Sequence, residues 1–121
     1  MTIEEIVFTA CGPLFAGRVY PSGAEYGTVR PYCIYHVIGG ESVDLLDDAE
    51  APDLANQLVQ VDVWGDSAIG ASQLIFAVEK ALRGSANVQS AKPVSAPRAV
   101  SEVDLGLYGK QQDFSVWFSR S

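Results

Sequence analysis

Residues 57–84 read "QLVQVDVWGDSAIGASQLIFAVEKALRG". The first eight alternate: Val59, Val61 and Val63 fall on one side, Leu58, Gln60, Asp62 and Trp64 on the other. That is the period of a half-buried strand. After Gly65 the period changes. Ala71, Leu74, Ile75, Val78, Ala81 and Leu82 recur at three- and four-residue steps, one face of a helix. Asp66 or Ser67 supplies the N-cap. Lys80 and Arg83 suit the C-terminal end of the dipole, and Gly84 suits a left-handed cap. A strand feeding an amphipathic helix is therefore the frame on which the rest is hung.

The flanking sequence extends it. Thr2 and Glu5 form a capping-box pattern, with Ile3, Ile6, Val7 and Ala10 at helical spacing until Gly12-Pro13 stops the helix. "GRVYP" (17–21) reads as a short strand, 21–31 as a Gly- and Pro-bounded loop, and "YCIYHVI" (32–38) as a strand closed by Gly39-Gly40. Residues 85–98, rich in Ser, Ala and Pro, read as a long loop. Residues 99–107 alternate, with Val100, Glu102 and Asp104 opposed to Ser101, Val103 and Leu105. Gly109 marks a turn, and 112–119 is the closing strand of a hairpin. The fold class that follows is α+β in a single domain, 1–121. It has a mostly antiparallel sheet of about four to five strands with two helices packed on one face.

Composition sets limits on function. The chain has 121 residues and a formal net charge of −7. Sequence-independent nucleic-acid binding needs clustered Lys and Arg, which this balance opposes. The longest apolar run, "LIFAV" at 74–78, is far short of a membrane span. The acidic start "MTIEEIVF" does not read as a secretory signal. Cys11 and Cys33 have no zinc-ligand spacing. Two buried thiols are expected, with a disulfide as the alternative. The single histidine, His36, reads as a structural residue on a polar face. It sits within reach of Asp62 across neighbouring strands, but no nucleophile turn accompanies them. No phosphate loop, HExxH or CxxC is present, so neither catalysis, a cofactor nor a metal is expected.

What stands out is the outer face of the sheet. In 113–119, Phe114, Val116 and Phe118 face the helices, and Asp113, Ser115, Trp117 and Ser119 face away. Asp62 with Trp64, and Asp113 with Trp117, thus repeat an acid and a tryptophan on the side facing away from the helices. Each Trp is either a lid on the rim of the core or an interface anchor. Mixed polar and aromatic patches are how interfaces are made, and two in matching places lead us to expect contact with another chain. A second feature is the acidic segment 41–53, with Glu41, Asp44, Asp47, Asp48, Glu50 and Asp53 and no base. It reads as a solvated loop. Arg18, Arg30, Arg98 and Arg120 are the candidate bases for a neighbouring subunit's acids.

"GRVYP", the Gly-rich loop, "RPYCIYHVIGG", "LVQVDVWGDSAIGASQLIFAVEKAL" and the closing "QDFSVWF" follow the order of the tail-terminator (tail-completion) proteins of long-tailed bacteriophages. The chain resembles that family from about residue 3 to 118. The resemblance implies a non-enzymatic virion protein that forms a hexameric ring on the head-proximal end of the tail tube. The ring would stop tube polymerisation and join the tail to the head connector, with DNA passing through unbound. Its partners would be itself, the tube protein and the connector or neck proteins, first in the host cytoplasm and then in the virion. Two other readings remain. One is a head-completion or connector subunit, the other a small dimeric α+β ligand-binding or enzymatic domain with His36, Asp62 and Trp64 near a pocket.

Overall fold

The computed structural model describes residues 1–25, 27–42, 53–102 and 105–120. Helix α1 (Ile3–Cys11) begins at Thr2, whose hydroxyl accepts from the Glu5 N–H while the Glu5 carboxylate accepts from the Thr2 N–H. A 3-10 turn at Gly12–Leu14 follows, where Pro13 ends the α-helical pattern. The strands are β1 (Val19–Pro21), β2 (Tyr32–Val37), β3 (Leu54–Gly65), β4 (Val88–Pro93), β5 (Arg98–Ala99) and β6 (Tyr108–Ser119), with α2 (Ala68–Arg83) between β3 and β4.

The sheet runs β1-β2-β3-β6-β4, and β5 pairs with the start of β6. The β1–β2 pairing is parallel and the others are antiparallel. One core joins Ile3, Ile6, Val7 and Cys11 of α1 and Ile75, Val78 and Leu82 of α2 to Val59, Val61 and Val63 of β3 and Phe114, Val116 and Phe118 of β6. Both helices therefore cover one face. That fits the expected class, with helices on a mostly antiparallel sheet.

Four local expectations are corrected. Residues 85–98 contain a strand, β4, paired with β6. Its sequence "VQSAKP" lacks an aromatic or β-branched run, and only Ala91 is buried; pairing, not propensity, makes it a strand. Among the described residues of the alternating stretch 99–107, only Ala99 lies in a named strand, Glu102 and Leu107 form an isolated bridge, and the chain turns through Gly106, which has φ +66°. Gly109 is inside β6, not at a turn. Gly84 caps α2 in a right-handed conformation, φ −88°, so it is not a left-handed cap. The N-cap of α2 is Ser67, whose Oγ accepts from the Gly70 N–H; Asp66 instead pairs with Arg30.

Gly40 marks where the chain leaves the sheet. Its φ is +150°, and a Cβ there would lie 2.4 Å from the Asn56 carbonyl oxygen. Only glycine fits so close to a neighbouring strand.

Candidate functional face

β3 and β6 pair over twelve residues, so parity fixes what the helix-free face shows. Trp64 lies opposite Gly109, Asp62 opposite Gln111, Gln60 opposite Asp113 and Leu58 opposite Ser115; Asn56 lies opposite Trp117. On β2, Tyr32, Ile34 and His36 stand beside Trp64, Asp62 and Gln60. On the far side, Ser90 and Lys92 stand beside Trp117 and Ser115, and Arg98 beside Gln111. The expected outward set is therefore on one face. Its two tryptophans do not form one patch. From Asn56 to Trp64 is eight residues, about 27 Å at 3.4 Å per residue, so the rings bracket the face at its two ends.

Trp64 is half-buried within its own chain. Its ring stacks on Tyr32 with centroids 6.5 Å apart and planes 24° from parallel. Beneath it is Gly109, where a Cβ would lie 2.8 Å from Trp64 Cε3 and Cζ3 and 2.9 Å from Val100 Cγ2. The glycine is what lets the indole lie on the strand. The sequence carried a signal for this, a lone Gly inside a β-pattern marking close approach. Trp117 is also half-buried. Beside it the buried Asn56 donates to Ser115 Oγ at 3.0 Å and to the Val116 carbonyl at 3.3 Å.

A polar ladder crosses the middle of the face. Arg98 Nε donates to Gln111 Oε1 at 2.6 Å, and Arg98 Nη2 lies 3.5 Å from Asp113 Oδ1. His36 Nε2 is 3.9 Å from Asp62 Oδ2, too long for a hydrogen bond. Asp62 Oδ1 is buried without a hydrogen-bond partner. Burial pushes the Asp62 carboxyl above its usual range and Asp113 adds to this, while Gln111, His36 and Arg98 pull it back. Cys33, on the adjacent strand, points into the core. Burial, with lesser contributions from Cys11 and Asp62, pushes its thiol well up, and burial pushes that of Cys11 to about 12. Both cysteines are free thiols, held protonated at neutral pH and poor nucleophiles. Among the described residues no three His, Cys, Asp or Glu gather as a metal site, and no helix is long and apolar enough to cross a membrane.

The acidic segment begins and ends beside Trp117. The Glu41 N–H donates to Asn56 Oδ1 at 2.9 Å, and the Asp53 carbonyl accepts from the Arg120 N–H at 2.8 Å. Glu41 and Asp53 are exposed; Asp44, Asp47, Asp48 and Glu50 lie outside the described residues. The four candidate bases are dispersed. Arg18 Nε donates to the Pro31 carbonyl at 3.0 Å. Arg30 pairs with Asp66 at 3.2 Å and donates to the Gly106 carbonyl. Arg98 belongs to the ladder. Arg120, beyond β6, accepts at its carbonyl from the Met1 ammonium at 2.6 Å.

The arrangement is a polar and aromatic sheet surface backed by the helices, and among the described residues no nucleophile is poised beside the His36–Asp62 pair. No curated relative matches the chain. Among protein families, the one described as tail completion protein gp17 matches residues 9–119, from the last turn of α1 to the end of β6. A match of that extent spans every strand and the whole of α2, and on it the chain belongs to the tail completion family of bacteriophage structural proteins.

Proposed function

We propose that this subunit is a tail terminator: it forms a hexameric ring on the head-proximal end of the tail tube, stops tube growth and offers the surface to which the head connector binds. The observation that carries this reading is the family match across 9–119. The physics is that of end-capping. A growing tube always exposes an unsatisfied subunit interface, and a ring that binds it without offering a copy ends the polymer. A ring closes through heterologous contacts, which need two different surfaces on each subunit. The chain has two such surfaces. One is the helix-free sheet face, where Trp64, Trp117, Asp62 and Asp113 are the contact residues. The other is the outer side of the helices, where Phe8, Ile69 and Phe76 stand exposed, Ile69 by 73% and Phe76 by 64%.

The six acids of 41–53 add a role for charge. Arranged around a ring, they make a strongly negative lining that repels DNA and so keeps it from adhering in transit. If the same acids instead reach Arg18, Arg30, Arg98 or Arg120 of a neighbour, ring assembly weakens as ionic strength rises; a lumen-facing segment leaves assembly unchanged by salt.

Adding purified subunit to tube protein polymerising in vitro tests the reading. Growth should arrest, and native mass spectrometry should show a hexamer, free or on the tube end. Unchanged growth with a stable dimer in solution would contradict it and favour a ligand-binding or enzymatic domain.

A further inference from the structure

We infer that α1 of one copy packs antiparallel on α2 of the next, with Phe8 against Phe76 and Glu4 beside Lys80, and that this contact joins neighbours in the ring. The inference rests on the tail reading and narrows it. Both halves of the contact lie on the helix side, which leaves the helix-free sheet face to the tube or the connector.

The two helices expose different chemistry. The exposed positions of α2 include Ile69, Ser72, Gln73, Phe76, Lys80 and Arg83, and none of its exposed positions is an acid. Those of α1 are Glu4, Glu5, Phe8 and Thr9, and none is a base. In a chain of net charge −7, a helix face with two cations and no acid is a local exception, and the face that complements it is on the same chain. Some of these charges are used. Arg83 pairs with Glu79 at 3.1 Å, and Glu5 closes the capping box on Thr2. Glu4 and Lys80 hold no ion pair among the described residues. Each stands one turn from a phenyl ring outside the core, Phe8 being 51% exposed and Phe76 64%.

The spacing matches. Glu4 precedes Phe8 by one helical turn and Phe76 precedes Lys80 by one, about 6 Å in each case. The order is opposite: acid then ring on α1, ring then base on α2. Antiparallel helices therefore bring both pairs together at once, ring on ring and acid on base. Beside Phe76 lies a hollow of about 310 Å³ walled by Ile75, Pro97 and Lys110, where the Phe8 ring fits. Direction matters too. Burial, and after it Glu4, pushes up the hydroxyl of Tyr35 on β2, so Glu4 stands on the β2 side of α1. Phe76 borders Pro97, just before β5, and Lys110 on β6. In the sheet, β2 lies beside the β1 edge, while β4 and β5 flank β6 at the other. The two stripes thus lean toward opposite edges, as a head-to-tail contact needs.

The test is sedimentation velocity and native mass spectrometry of the full chain with reversed charges. Wild type should associate into hexamers. Glu4→Lys alone and Lys80→Glu alone should each weaken association at least about tenfold, because like charges then meet. An equal mixture of these two variants should restore it, since every contact between unlike copies again pairs opposite charges. Both variants remain acidic overall, so bulk attraction does not account for such a rescue. Glu25→Lys, a reversal at an exposed acid away from both helices, should not rescue Lys80→Glu. Phe76→Ala should associate about thirtyfold more weakly, the loss typical of an interface anchor, with the melting temperature of the dilute monomer unchanged. Undiminished association of the single variants, a mixture that stays apart, or rescue by Glu25→Lys would overturn the contact. A mixture that stops at a dimer would overturn the head-to-tail arrangement. Normal association of Phe76→Ala with lost binding to tubes would assign the stripe to the tube protein and overturn the second copy as its occupant. Wild type that stays monomeric yet arrests tube growth would overturn the contact and leave the terminator in place. Wild type that does neither would sink the tail reading, and this inference with it.

Discussion

Replacing Gly109 with alanine puts a methyl group where the Trp64 ring now lies. The added Cβ would sit 2.8 Å from two ring carbons and 2.9 Å from Val100 Cγ2, all well inside van der Waals contact. Trp64 cannot swing away cheaply, because Tyr32 stacks on it. Overpacking of this kind costs about 1–3 kcal/mol. Against it stands a gain of about 0.4–1 kcal/mol from a less flexible unfolded chain. The backbone itself is permissive, since Gly109 is extended within β6. The net is a loss of about 1–2 kcal/mol, or a fall of about 3–10 °C in melting temperature for a domain of this size. The second half of the cycle is the decisive one. With Trp64→Ala already present, the two ring contacts are gone and only that with Val100 Cγ2 remains, so Gly109→Ala should cost clearly less than in the wild-type background. Chemical denaturation of the four proteins measures both steps. An equal loss from Gly109→Ala in the two backgrounds would refute the claim that this glycine exists to seat the indole.

Other perturbations follow from the same structure. Thr2→Ala removes the capping box of α1 and should cost about 0.5–2 kcal/mol, read by thermal melting. Cys11 and Cys33 should resist a thiol reagent at neutral pH until the chain unfolds; rapid labelling of the native subunit would show that the thiols are open to solvent. Asp62→Asn should change the pH profile of stability. Burial raises the folded pKa of Asp62 above its unfolded value despite His36, Gln111 and Arg98, so its contribution is present at low pH and lost as pH rises through the folded pKa. Asp62→Asn lacks this fall, and its advantage in melting temperature should be widest at neutral pH and close below the ordinary carboxylate value of about 3.9. Ala at Trp64 or Trp117 should weaken assembly by about 2 kcal/mol, the cost typical of an interface anchor; normal assembly with lowered stability would make the rings lids on the core.

The elements legible in the sequence were those whose period matched their burial. In β3 and β6 the alternation of Val59, Val61 and Val63 and of Phe114, Val116 and Phe118 marks the core face, because helices cover only one side of the sheet. α2 was legible for the same reason, its buried Ala71, Ile75, Val78 and Leu82 being spaced for one stripe. β4 was not, because an edge strand of small and polar residues buries too little to carry a pattern. The 99–107 alternation misled for the opposite reason: its apolar residues follow a strand period, but the chain turns at Gly106 and the stretch folds back on itself, with a single bridge between Glu102 and Leu107. On the helix-free face, parity placed Asp62 and Trp64 together. It could not tell that Arg98 pairs with Asp113, since that depends on which strand lies beside β6. Nor could it show that Asn56 ties down Glu41, a contact made by the course of the backbone past Gly40.

The account stands or falls on what the tail does without this protein. Electron microscopy of phage particles made with its gene deleted, with tail lengths measured one by one, is the most direct test. The account predicts free heads beside unattached tails of abnormal and widely scattered length. Tails of normal, uniform length would contradict the terminator role, and such tails already joined to heads would remove the joining role as well.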